Sequence, residues 1–194
     1  MTGASLIACA RRAIDWGIDF LQIREKDLTD RALYELTCRM VSLASRTGCR
    51  ILVNGRADIA MAAGAHGVHL PSDGLQVSDI RPWLPEGFCI GVSVHSTQEI
   101  NRAAAQGADY ILLGHLFPTA SKQGYGQPLG LEILRKACKK FSIPILGLGG
   151  IKPEFVESVL ETGAAGVAGI TLFQNSADFS RLKNSYVFDK SHRS

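Results

Sequence analysis

Short apolar runs alternate along the chain with stretches in which apolar residues recur every three to four positions. The runs fall at 20–24, 50–54, 68–70, 90–94, 110–114, 145–149 and 166–170, each of strand length. Between them Leu33, Leu36, Met40 and Leu43 form one helical stripe, and Ile100, Ala103 and Ala104 another. Ser96 with Glu99 three positions on reads as a capping box that opens the second of these helices. Pro153 suits the first turn of a helix carrying Phe155, Val156, Val159 and Leu160.

A local pattern recurs before alternate strands. A helix-like segment ends in glycine, and an apolar strand begins shortly after, at Gly17, Gly64, Gly107 and Gly163. Glycine closes a helix at low cost because the left-handed residue beyond the last turn carries no Cβ penalty. Each interval fits two β/α units. Alternating elements predict a parallel sheet, since parallel neighbours need crossover helices. A closed barrel and an open doubly wound sheet both meet that condition. Short strands, with polar residues after nearly every one, favour an α/β fold of the TIM-barrel type, whose site is built from all the βα loops. An open sheet gathers its site at one switch point. Eight strands close such a barrel, and the sequence offers seven, because it opens directly into a helix at 5–16 and the first strand is missing. The expectation is one barrel domain over 1–175 and a C-terminal helix or tail over 176–194. An unpaired seam leaves homo-oligomer formation open.

Composition adds exclusions. A chain of 194 residues suits one domain, and 46% hydrophobic with 20% charged residues suits a globular one. With 21 basic and 18 acidic residues the charge is too balanced to suggest a nucleic-acid partner. Cys9, Cys38, Cys49, Cys89 and Cys138 are odd in number and form no Cys-x-x-Cys pair, which argues for free thiols in a reducing compartment. No apolar run has the length of a membrane helix, and the N-terminus lacks the pattern of a secretory signal. A cytoplasmic protein with no membrane partner is expected.

Candidate chemistry clusters after the strands. Gln22, Arg24 and Lys26 alternate along the first one, so they share the face towards the barrel mouth while Leu21 and Ile23 face the helices. Arginine and lysine together suit phosphate or diphosphate; a polar plug paired with acidic neighbours is the alternative. Asn54, Gly55, Arg56 and Asp58 follow the second strand, and His69, Ser72 and Asp73 lie in and after the third. Asp58 suits the first turn of the next helix, where a carboxylate complements the dipole. His69, inside a strand, reads as a core histidine before a catalyst. Asp73 stands open between roles.

The segment from Gly114 to Gly126, with Thr119, Ser121, Lys122 and Gly124, has the composition of a mobile lid over a ligand. His115 beside it is a candidate general acid/base, since histidine titrates near neutrality. Ser93 and His95, at the end of the preceding strand, are placed to meet it. Gly147, Gly149 and Gly150 near the sixth strand's end, with Gly166 and Gly169 around the seventh, let backbone N–H groups approach an oxyanion where many barrels hold phosphate. Tight packing is the other use of such glycines.

Taken in order, Gln22-x-Arg24-x-Lys26, Gly67-Val68-His69-Leu70, Gly91-Val92-Ser93-x-His95, Gly114-His115-x-Phe117-Pro118-Thr119-x-x-Lys122 and Gly149-Gly150-Ile151 resemble the thiamine phosphate synthase and thiazole tautomerase family. The resemblance covers about residues 14–173. It implies a TIM barrel, a strand ahead of the first helix in relatives, and a thiazole phosphate ligand held by Gly149, Gly150, Ile170 and Thr171.

The family holds two chemistries. Its synthases join a pyrimidine methyl diphosphate to thiazole phosphate and release diphosphate with the help of Mg²⁺. Gln22, Arg24, Lys26, Asn54 and Ser93, with Thr119, Ser121 and Lys122 in the lid, match substrate-binding positions. The synthases' Asn-Asp pair reads Asn54-Gly55 here, and the following loop reaches Asp73 one residue early. Asp73 is therefore a metal ligand only in the synthase reading. A lost carboxylate weakens a Mg²⁺ site and slows diphosphate departure. Its tautomerases resemble Gly-His-x-Phe where synthases have Gly-Pro. His115 then matches the histidine that shuttles a proton to aromatise the thiazole, with Lys122 a second catalytic candidate and no cofactor needed. His115 and Gly55 tilt the sequence towards the tautomerase. The alternatives are a synthase, a non-catalytic barrel that keeps the phosphate loops, and another phosphate-binding barrel such as an epimerase.

Overall fold

The computed structural model describes residues 3–119 and 126–174. Ser121 and Lys122, two of the expected lid residues, lie outside the described residues, as does the expected tail at 176–194.

Along the chain run α1 (Gly3–Asp15), β1 (Phe20–Ile23), α2 (Asp30–Ala44), β2 (Arg50–Asn54), α3 (Ala57–Ala62), β3 (Gly67–Leu70), α4 (Val77–Ile80) and β4 (Cys89–Val94). Then follow α5 (Thr97–Ala105), β5 (Tyr110–Gly114), α6 (Gly130–Lys140), β6 (Ile145–Leu148), α7 (Val156–Leu160), β7 (Gly166–Ala168) and α8 (Thr171–Gln174). All seven strands are parallel and pair in sequence order, β1 to β7. This is the expected TIM-type arrangement, with seven strands among the described residues. Among the described residues β1 and β7 pair with each other nowhere, but α1 packs on both α2 and α8. The helical layer thus crosses the gap that the sheet leaves.

The strands are apolar on two faces because each face has its own core. Outward-facing Ile51, Val53, Val68 and Ile90 pack under helix residues Leu33, Leu36 and Met40. Ile111 and Leu113 do the same with Ile100 and Leu134. The inner core is smaller: Leu52, Cys89, Tyr110 and Leu112, with Leu146, Leu148 and Ala168 against them. Gly91 shapes it. A Cβ there would lie 2.0 Å from Tyr110 Cζ, so the missing side chain is the slot that admits the tyrosine ring. That ring also stacks on Phe20, with centroids 5.6 Å apart.

Three local details depart from the sequence reading. β7 ends at Ala168, because Gly169 and Ile170 already turn the chain into α8. Pro153 opens a short 3-10 turn, Pro153–Phe155, that leads into α7. Ser96 Oγ accepts from the Glu99 N–H at 3.2 Å, as a capping box requires, but the Glu99 carboxylate accepts from the N–H of His95, one residue before the cap. The five cysteines are free thiols, and burial pushes those of Cys49 and Cys89 up to about 11, which leaves neither a thiolate near neutrality. No helix among the described residues is long and apolar enough to cross a membrane.

Candidate active site

Parity along β1 works as the sequence suggests. Ile23 is buried among helix residues, whereas Gln22 turns to the mouth and donates from Nε2 to Asn54 Oδ1 at 2.9 Å. Beyond the strand, Arg24 and Lys26 are exposed and border a cavity of about 200 Å³ with Glu25, Asn54 and Arg56. Neither Arg24 nor Lys26 forms an ion pair among the described residues.

Arg56 is different, and the sequence reading gave it no role. Its Nε and Nη2 donate to the two oxygens of Asp58 at 2.9 and 2.7 Å, and its Nη1 donates to Asp30. Asp58 does sit in the first turn of α3, but its carboxylate is engaged by Arg56. The guanidinium holds both carboxyls below their ordinary range, chiefly through these hydrogen bonds. Groups with depressed pKa values stabilise the fold above the unfolded carboxylate range and lose that contribution as pH falls through the folded values. Arg56→Met is therefore expected to cost under about 1 kcal/mol through Asp58 at pH 7, and less at pH 3, where the contribution is being lost. Urea denaturation at the two pH values reads this directly.

His69 is 1% exposed and lies between two hydroxyls. Its Nδ1 is 2.8 Å from Tyr110 Oη and its Nε2 is 2.8 Å from Ser93 Oγ. Burial, assisted by the charge of Arg24, pushes its pKa down to about 4. It is a neutral core histidine near pH 7, and it reaches the half-buried Ser93 in the mouth.

His115 follows β5 and is 7% exposed. Leu116 and Phe117 donate their N–H groups to the carbonyls of Leu148 and Gly149, stitching this segment to the loop after β6. Gly149 makes the approach possible. Its φ is 94°, and a Cβ there would lie 2.5 Å from His115 Cβ. Among the described residues nothing hydrogen-bonds the His115 ring. The two residues placed to meet His115 divide instead. Ser93 turns to His69, while His95 Nδ1 donates to the carbonyl of Gly114, the residue just before His115. His95 Nε2 lies 3.4 Å from Ser72 Oγ.

Thr119 is half-buried at the end of this described segment. Gly150 and the exposed Ile170 donate their N–H groups to no backbone carbonyl among the described residues, and Thr171 opens α8. These are the groups that a phosphate at the last two strands would use.

A protein-built Mg²⁺ site does not fit this residue set. Asp73 is exposed, Asp58 and Asp30 are tied to Arg56, and no three His, Cys, Asp or Glu side chains converge among the described residues. At Gly55 a Cβ would have only Pro71 Cδ near it, at 3.9 Å, but the φ of 68° is left-handed, a conformation in which any side chain there is strained.

This geometry has relatives. The family profile described as thiamine monophosphate synthase matches residues 1–173. The chain belongs to the thiamine monophosphate synthase family. A putative thiamine-phosphate synthase of Geobacter sulfurreducens is 45% identical over 169 residues, covering 87% of this chain and 79% of that protein. The thiamine-phosphate synthase of Methanoculleus marisnigri is 39% identical over 91% of this chain and 83% of its own. Among solved structures, thiamine phosphate pyrophosphorylase from Pyrococcus furiosus superposes with a TM-score of 0.83 at 28% identity, over 92% of this chain and 87% of the other. The family is one of thiamine biosynthesis, and its fold agrees with the incomplete TIM-type barrel seen here.

Proposed function

We propose that this chain acts on a phosphorylated thiazole at the strand ends of the barrel, with His115 as the general acid/base of a tautomerisation that makes the ring aromatic. The observation that carries the proposal is the packing of His115 against Gly149, which sets a titratable imidazole beside the glycine loop suited to a phosphate. The substrate's phosphate would take backbone N–H groups of Gly149, Gly150, Ile170 and Thr171. A second anionic group on the same molecule would face the uncommitted cations Arg24 and Lys26. His115 then removes a proton from a saturated ring carbon and a proton is returned elsewhere on the molecule, so that no group is transferred and no redox change occurs. Asn54, fixed by Gln22, Ser93 and Thr119 would line the pocket, and Lys122 would stand by as a second acid/base from the lid.

The relatives' names favour a second reading, a synthase that joins a pyrimidine diphosphate to thiazole phosphate, with Arg24 and Lys26 on the diphosphate and Asp73 as the remaining carboxylate for Mg²⁺. One experiment separates the two. The protein is given the non-aromatic thiazole phosphate carboxylate alone, and separately the pyrimidine diphosphate with thiazole phosphate, each with Mg²⁺ and with EDTA. Aromatisation that persists in EDTA is the expected result; thiamine phosphate formed only with Mg²⁺ would establish the synthase. Turnover in neither assay, with thermal stabilisation by thiazole phosphate, would leave a binding barrel.

A further inference from the structure

We infer that Tyr110, His69 and Ser93 form a polarised hydrogen-bond chain that turns the Ser93 hydroxyl proton outward, making Ser93 a donor to whatever group is bound in the barrel mouth. The three side chains come from the inward faces of β5, β3 and β4, where the other interior residues are mostly apolar. Gly91 leaves the slot that the tyrosine ring fills, so the arrangement is built into the sheet.

The direction of the chain follows from counting protons. Tyr110 is 7% exposed, and burial pushes its phenol pKa further up, so it keeps its proton and must donate it. Its one hydrogen-bond partner among the described residues is His69 Nδ1. The reverse polarity would leave a buried O–H without an acceptor beside Leu52 and Leu112, and an unsatisfied buried donor costs more than a hydrogen bond returns. A neutral imidazole has one donor and one acceptor nitrogen. Accepting at Nδ1 puts the His69 proton on Nε2, which then donates to Ser93 Oγ. Ser93 is thus supplied from inside the protein, and its own proton is left for the mouth.

The chemistry of the occupant follows. Ser93 offers a hydrogen bond to an acceptor, such as a phosphate or carboxylate oxygen or an unprotonated ring nitrogen, on the side of the barrel where Arg24 acts on His69 as a cation. Tyr110 and His69 are positioning residues, acting only through Ser93. The inference rests on the thiazole phosphate reading only for its binding probe.

The first test is independent of activity. In protein labelled with ¹⁵N-histidine at pH 7.5, two-bond ¹H–¹⁵N correlations identify each ring's tautomer, with His69 assigned by the signals lost in His69→Gln. The expected state is neutral with the proton on Nε2; a proton on Nδ1, or an imidazolium, would overturn the inference. The second test removes one oxygen, in Tyr110→Phe. His69 should then sample both tautomers, and calorimetric affinity for thiazole phosphate should fall about 2- to 10-fold. Ser93→Ala should lose as much or more, and the double variant no more than Ser93→Ala. Unchanged affinity in Tyr110→Phe, or fully additive losses, would refute the coupling. Should the wild type bind no thiazole phosphate, the functional reading fails while the tautomer measurement still decides the polarity.

Discussion

His115→Asn is expected to lower the rate of thiazole aromatisation by about 10²- to 10⁴-fold, the usual worth of a positioned general acid/base. The substitution keeps a small polar side chain against Gly149, so the packing that fixes the β5 and β6 loops should survive. Affinity for thiazole phosphate should stay within a few-fold, because in the proposed pose backbone groups, rather than the ring, would hold the phosphate. A stopped-flow absorbance assay for the rate and calorimetry for affinity separate the two effects. Equal loss in both would make His115 a ligand anchor; an unchanged rate would remove it from the mechanism. Gly149→Ala should mimic the loss by a different route, since its Cβ would collide with His115 at a backbone conformation that alanine avoids.

The second large effect is on stability. Burial holds His69 at a pKa of about 4, whereas histidine in an unfolded chain titrates near 6.5. Above about pH 6.5 both states are neutral there, and the group confers no pH dependence. Below it the unfolded chain takes up a proton that the folded chain excludes, so stability falls with pH until about 4. The full loss over that window is about 3 kcal/mol. The Asp30 and Asp58 contributions disappear only at lower pH, in the carboxylate range, so the two can be told apart. Denaturant titrations at pH 8, 6, 5 and 4.5 should show the slope in the wild type and its absence in His69→Gln. The variant should also start from lower stability at pH 8, because it disturbs the bonds to Tyr110 and Ser93.

The strands were legible because each carries an apolar run, and before β1, β3, β5 and β7 a closing glycine adds a second local signal. The seven runs match the observed strands to within a residue or two. Gln22 and Ile23 were sorted to opposite faces by parity alone, and the structure agrees. What stayed hidden depends on contacts between elements. Tyr110 looks in sequence like one more apolar strand residue; only its register beside Gly91 reveals a polar tip under His69. Arg56 gives no hint that it joins a residue 26 positions away across the β1–β2 loops. Glu99 shows the same limit on a smaller scale, passing over the expected Ser96 N–H for that of His95. His115 was found by its motif, but its contact with Gly149 comes from the pairing of β5 with β6.

The gap between β1 and β7 ranks the parts of the site by how often they open. Amide protons of β4 and β5, flanked on both sides, should exchange with solvent only when the whole domain unfolds, while those of β1 and β7 exchange through smaller local openings. The proposed base hangs from the slow-exchanging middle of the sheet. The two ends proposed to take anions, Arg24 beyond β1 and the Ile170 N–H beyond β7, hang from these edge strands. A ligand that grips both ends would then tie down the weakest strands of the barrel, and its binding should be seen first as slowed exchange at the rim.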